Sequence, residues 1–127
     1  MAVAKAEPDG NDWITVLKDQ GELGRLIICD IVMAEMSALF NDDAAASRFF
    51  QKLGIDLEPT LVSTALLTGR IFHAYRRAGG TREHLIPDFL IGAHALLQAE
   101  QLAAADRGYL RRYFPKLRVI APGRSKP

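Results

Sequence analysis

Three carboxylates in this chain stand among apolar neighbours that make a charge expensive. Glu35 lies in Asp30-Ile-Val-Met-Ala-Glu-Met-Ser-Ala-Leu-Phe40. If that stretch is a helix, the residues one turn away are Ile31, Val32, Ala38 and Leu39, so Glu35 points along a buried stripe. Asp88 opens Pro87-Asp-Phe-Leu-Ile-Gly-Ala-His-Ala-Leu-Leu97, with Ile91, Gly92 and Ala95 on its face. Asp106 follows the small apolar run Leu102-Ala-Ala-Ala105. A buried carboxylate is costly unless it is paired, protonated or bound to metal. Carboxylates brought together repel one another and resist ionising, and a divalent cation reverses that. An all-oxygen donor set suits Mg²⁺ or Mn²⁺ and argues against zinc. Each acid also has a plain explanation. Asp106 can be the N-cap of a helix over 107–113, Asp88 can complement a helix dipole, and Glu35 can pair with an arginine.

Cationic side chains lie downstream of or between these acids. Arg70, His73 and Arg77 share one face of a long predicted helix, with Arg76 adjacent, and Arg107, Arg111 and Arg112 follow Asp106. Lys116 and Arg118 continue the series. Their chemistry is that of phosphate contacts beside a metal, and a solvated helix face is the alternative. Tyr109, Tyr113 and Phe114 read as core or interface, and His94, among Leu90, Ile91 and Leu97, reads as a core histidine. His84 and Glu83, in the loop before Asp88, carry no reading from sequence.

The elements that must position these groups alternate in type. Asp12 caps a helix over Trp13–Lys18 that fades at Gly21 and Gly24. Leu26–Cys29 reads as a short buried strand, Asp30 as the cap of the Glu35 helix, and Asp42 or Asp43 as the cap of a helix ending at Gly54. Ile55–Glu58 alternates like a strand, and Thr60–Ala78 is a long helix closed by Gly79-Gly80. A helix over Asp88–Gln98 follows Pro87, then a strand over Leu102–Ala105, a short helix over Arg107–Phe114 and a last strand over Leu117–Ile120. Strands alternating with helices predict a parallel α/β sandwich, whose ligands gather at the carboxyl ends of its strands.

The segments Ile31-Val-Met-Ala-Glu-Met-Ser37, Pro87-Asp-Phe-Leu-Ile-Gly-Ala-His-Ala95 and Asp106-Arg-Gly-Tyr-Leu-Arg-Arg-Tyr-Phe-Pro-Lys-Leu117, with Arg76-Arg-Ala-Gly-Gly80 before the second, resemble in order and spacing the PIN-domain ribonucleases, above all the VapC toxins of bacterial type II toxin–antitoxin pairs. The resemblance spans residues 25–121. It implies a three-layer α/β/α sandwich with a mostly parallel sheet and a metal-dependent endoribonuclease cleaving RNA phosphodiesters. Mg²⁺ or Mn²⁺ would be held by Glu35, Asp88 and Asp106, and RNA by Arg70, Arg77, Arg107, Arg111 and Arg112. It further implies a homodimer neutralised by a cognate antitoxin, with Trp13, Leu17, Phe49, Phe50 and Leu53 as candidate apolar contacts. The alternative is a catalytically impaired protein of the same fold that binds antitoxin or RNA.

The chain departs from the family pattern at its start. Relatives begin with a central strand ending in a ligand aspartate, commonly Asp-Thr/Ser-Asn, whereas residues 1–9 offer only Val3, Glu7 and Asp9. The expectation is that the first strand is missing, through truncation or a misassigned start, leaving unpaired sheet edges and an apolar groove, and with them low stability or strand donation from another chain. A second departure is Ala103-Ala-Ala105, where relatives often carry a polar pair before the aspartate.

Composition bounds the remainder. The chain has 127 residues, 49% of them hydrophobic, which predicts a single domain over 1–127 with an atypical start at 1–11 and a loose tail at 122–127. The lone Cys29 reads as a buried thiol of a reducing, cytoplasmic compartment. No apolar run reaches membrane-spanning length, and the first residues do not read as a secretion signal. A net charge of +1 hides an asymmetry. Residues 1–67 hold five basic and eleven acidic groups, a net of −6, and residues 68–127 carry a net of +7, a split compatible with a nucleic-acid surface or an acidic partner.

Overall fold

A computed structural model describes residues 2–3, 18–19, 22, 24–104 and 108–120. Its strands are β1 (Ala2–Val3), β2 (Leu26–Ile28), β3 (Ile55–Leu57), β4 (Gln101–Ala103) and β5 (Arg118–Ile120). Its helices are α1 (Asp30–Ser37), α2 (Asp43–Leu53), α3 (Val62–Arg77), α4 (Ile86–Gln98) and α5 (Gly108–Tyr113). The described strands form one sheet in the order β3-β2-β1-β4-β5, with every neighbouring pair parallel. Parallel neighbours require crossovers, and right-handed crossovers send helices to both faces, because the chain steps outward from β2 to β3 and then back across to β4. The result is the three-layer α/β/α sandwich expected from the sequence.

The expected loss of the first strand is corrected by this sheet. Ala2 pairs with Ile27 on one side and Leu102 on the other, and Val3 pairs with Ala103. The expectation rested on the shortage of apolar side chains near the start. Ladder bonds, however, use only N–H and C=O groups, which any residue but proline supplies. The flanking strands contribute the apolar faces, since Leu26, Ile27, Ile28, Leu102 and Ala103 are all buried. β2 and β4 are therefore paired on both sides, and the predicted apolar groove between them is filled.

Local chemistry explains most boundaries. Asp42 caps α2 by accepting from the backbone N–H of Ala45 at 2.8 Å, and Gly54 closes the helix at φ 68°, a conformation that suits a residue without Cβ. The expected cap Asp30 stands instead one residue inside α1, with Cys29 at the cap position and no side-chain cap bond. Asp30 Oδ1 accepts from the Thr60 hydroxyl at 2.6 Å, which ties the start of α1 to the segment after β3. Leu61 cannot cap α3 with its own side chain, so Gln98 does it from α4. Gln98 Oε1 accepts from Leu61 N–H at 3.2 Å and from Thr64 Oγ1 at 2.6 Å, while Nε2 donates to the Pro59 carbonyl at 3.0 Å. These bonds join α3 and α4, which form the most extensive helix pair of the described residues.

The core lies on the sheet. Its largest fully buried side chains include Phe89, Phe114, Leu26, Ile28, Met36 and Leu102. Cys29 is buried, and burial pushes its thiol pKa up, as expected of a core thiol. His94 is 1% exposed, with Nε2 2.7 Å from the Glu58 carbonyl oxygen, so this nitrogen carries the proton and the residue is a satisfied core histidine.

Candidate functional site

Strand order locates the crevice. The chain leaves β1 toward β2 and reaches β4 from the far edge, so β1 and β4 are adjacent strands whose connections run in opposite directions. The carboxyl ends of such a strand pair are where open α/β sheets hold ligands. Described residues on this side end at Val3 in β1 and at Ala104 after β4, two residues before Asp106. Asp106 and Arg107 lie outside the described residues, as do Glu7, Asp9, Asp12, Trp13 and Leu17.

Asp88 is the best-defined acid. It stands in the first turn of α4, after Pro87, and its Oδ2 accepts from the backbone N–H of Leu85 at 2.8 Å while its own N–H donates to the Leu85 carbonyl at 3.0 Å. This is the reciprocal pattern of a capping box, with backbone groups in place of a cap side chain. Oδ1 has no partner among the described residues. The Asp88 carbonyl accepts from the Tyr109 hydroxyl at 3.2 Å, and Tyr109 is the second residue of α5. The start of α4 is thus bonded to the start of α5, three positions after Asp106 in the chain.

Packing fixes that junction. Phe89 is fully buried, its ring 5.0 Å from Tyr75 at the end of α3 and 5.9 Å from Tyr109. Gly92, one turn along from Asp88, is where the Phe114 ring enters; a Cβ there would lie 2.7 Å from Cδ2 and 2.8 Å from Cζ. Small side chains on this face of α4 let the aromatic after α5 approach the helix backbone. Tyr109, Tyr113 and Phe114 are core and junction residues, as the sequence suggested.

Glu35 stands on α1, which packs against α2 and α4. It is half-buried rather than buried. The inward stripe of α1 is Val32 and Met36, and Glu35 falls on its margin, which corrects the expectation of a fully buried carboxylate. No arginine pairs with it among the described residues. Among those residues no three His, Cys, Asp or Glu side chains gather to hold a metal ion; the structure describes two of the three expected acids. Both are carboxylates with an oxygen that has no protein partner among those residues, which fits a hard divalent cation.

The basic groups fall on two neighbouring helices, most of them near the carboxyl ends, with Arg70 two turns back along α3. Arg70, Arg76 and Arg77 are exposed on α3, and Arg111 and Arg112 are exposed on α5. The Tyr113 ring packs edge-on against Tyr75 at 5.6 Å and joins these ends, while the Arg112 guanidinium lies 5.5 Å from the Tyr113 centroid. None of Arg70, Arg77, Arg111 and Arg112 makes an ion pair among the described residues. Of the candidate apolar contacts, Phe50 is core, and Phe49 and Leu53 are half-buried beside it.

The residue that sequence reasoning passed over is His84. Its Nδ1 is 3.7 Å from Asp88 Oδ2 and its ring stacks on Tyr109 at 4.2 Å. Its place four residues before Asp88 was the available signal, hidden because the contact forms across a loop entering the helix.

Comparison with solved structures bears on the fold. A chain in the crystal structure of VapBC2 from Rickettsia felis, bound to a DNA fragment from their promoter, superposes with a TM-score of 0.73 at 13% identity, covering 94% of this chain and 96% of that one. The fold is PIN-like. No family profile and no curated protein sequence matches the chain. Among the described residues, no helix of this PIN-like fold is long and apolar enough to cross a membrane.

Proposed function

We propose that this chain is the toxin member of a toxin–antitoxin pair, and that it is a Mg²⁺- or Mn²⁺-dependent endoribonuclease. The observation that carries the reading is the junction at Asp88. A carboxylate with one open oxygen sits at a helix start bonded to the helix that follows Asp106, within a PIN-like fold spanning nearly the whole chain. Glu35, Asp88 and Asp106 would hold the metal. Bound there, Mg²⁺ or Mn²⁺ would lower the pKa of a water and stabilise charge on the scissile phosphate. The carboxylates would hold and orient the ion; none serves as a nucleophile. Arg70, Arg77, Arg107, Arg111 and Arg112 hold the RNA backbone through contacts that weaken with salt. The neighbour, solved as VapBC2 bound to a DNA fragment from their promoter, supports an antitoxin as partner here; the toxin itself would act as a homodimer.

Purified protein incubated with RNA and MnCl₂ tests the reading. Glu35→Gln keeps shape and removes charge. It should lower the cleavage rate by at least roughly a hundredfold, since groups that merely orient a metal ligand are already worth about 10–100-fold. Cleavage that survives this substitution removes Glu35 from the site. One observation favours a second reading. The chain leaves central β1 into Ala4-Lys5-Ala6, with no acid where relatives place a ligand. A protein that binds antitoxin but neither cleaves RNA nor takes up Mn²⁺ in calorimetry would match that reading instead.

A further inference from the structure

Asp88 is held at three points, and two of them pass through His84 and Tyr109. Oδ2 accepts from Leu85 N–H at 2.8 Å, and His84 Nδ1 lies 3.7 Å from the same oxygen, too long for a hydrogen bond but within reach of its charge. The Asp88 carbonyl accepts from the Tyr109 hydroxyl at 3.2 Å. The Tyr109 ring stacks on His84 with centroids 4.2 Å apart and planes at 26°. Tyr75 and Phe89 close in edge-on, at 6.0 and 6.2 Å, and the His84 side chain is only 16% exposed. His84 is therefore pinned between a ring wall and the carboxylate. We propose that His84 is a positioning residue, which with Tyr109 keeps Asp88 Oδ2 turned to the protein and leaves Oδ1 as the open donor to a divalent cation. The inference rests on Asp88 being a metal ligand. Groups that orient a ligand without touching the metal are commonly worth about 10–100-fold in affinity.

The test is calorimetric titration of the full chain with MnCl₂ at fixed pH, so the readout is binding rather than activity. His84→Phe keeps a ring to stack on Tyr109 and removes the nitrogen facing Asp88; it should weaken Mn²⁺ binding about tenfold. His84→Asn returns a polar nitrogen at similar reach and should recover most of that roughly tenfold loss. Asp88→Asn should abolish binding. If His84→Phe takes up Mn²⁺ like the unaltered chain while Asp88→Asn does not, the positioning role is overturned and the metal site stands. If the unaltered chain takes up none, both fall. Should His84→Phe fail to fold, Tyr109→Phe, which removes the hydroxyl from the Asp88 carbonyl, should weaken Mn²⁺ several-fold, and unchanged affinity overturns the proposal.

Discussion

Replacing Asp88 in two ways separates its role in the helix from its role in the site. Asparagine retains an oxygen that can accept from Leu85 N–H, so the 2.8 Å bond survives while the charge is lost. The charge contributes through the first turn of α4, for which about 0.5 kcal/mol is expected at a half-exposed position. The contact with His84 adds little, because the Asp88 side chain is 39% exposed and ion pairs open to solvent are worth roughly 0–1 kcal/mol. Alanine removes the acceptor too and leaves the Leu85 N–H unpaired at the helix entrance, a further loss of about 1 kcal/mol. Asp88→Asn should therefore cost about 0.5 kcal/mol and Asp88→Ala about 1.5 kcal/mol. For a chain of 127 residues the gap of about 1 kcal/mol corresponds to roughly 4 °C in Tm. Activity should not follow stability: with MnCl₂, both variants should cleave RNA at least about a hundredfold more slowly. Thermal melts and initial cleavage rates on the same preparations check both. Equal stability of the two variants would refute the cap, and full activity of Asp88→Asn would refute the part given to the charge.

Two further outcomes follow from the same junction and from the start of α1. Gly92→Ala gains helix propensity of about 1 kcal/mol but drives a Cβ to 2.7 Å from Cδ2 of the buried Phe114 ring, and overpacking of that kind costs roughly 1–3 kcal/mol. A net loss of about 1 kcal/mol, read from urea unfolding with unchanged slope, is expected, and a more stable variant would show that the ring yields freely. Thr60→Val deletes the hydroxyl that, ahead of the neighbouring backbone N–H groups and His94, holds the Asp30 carboxyl below its ordinary pKa despite opposing desolvation. A depressed folded-state pKa stabilises above the unfolded value and is lost as pH falls through the folded one. The variant should accordingly melt below the unaltered chain at pH 6, with the gap narrowing toward pH 2; a gap independent of pH would mean that the hydroxyl does not favour the charged form.

How far the sequence could be read depended on the range of the interactions involved. α2 is legible because its signals are local: Asp42 reaches its own helix three residues on, and Gly54 satisfies a backbone need at one position. The start of α3 is not, because its cap comes from Gln98, 37 residues away in the chain from Leu61. Asp30 was misread for the same reason, since its acceptor oxygen serves Thr60 across the sheet edge rather than the helix it opens. At the candidate site, Asp88 was found from its apolar neighbours and Pro87, whereas its contacts with His84 and Tyr109 depend on how a loop and a second helix pack against α4.

Residue order alone settled the alternation of strand and helix, the buried thiol and histidine, and the carboxylates and arginines worth pursuing, because these follow from spacing, polarity and caps within a turn or two. Folding in three dimensions supplied the remainder. A two-residue segment became the middle of the sheet because partners on both sides bonded its backbone. Glu35 turned out to lie on the margin of its helix's buried stripe. His84 met Asp88 and Tyr109 because three aromatic-rich segments close on one another there. Such outcomes depend on which surfaces meet, and no local pattern in the chain encodes that.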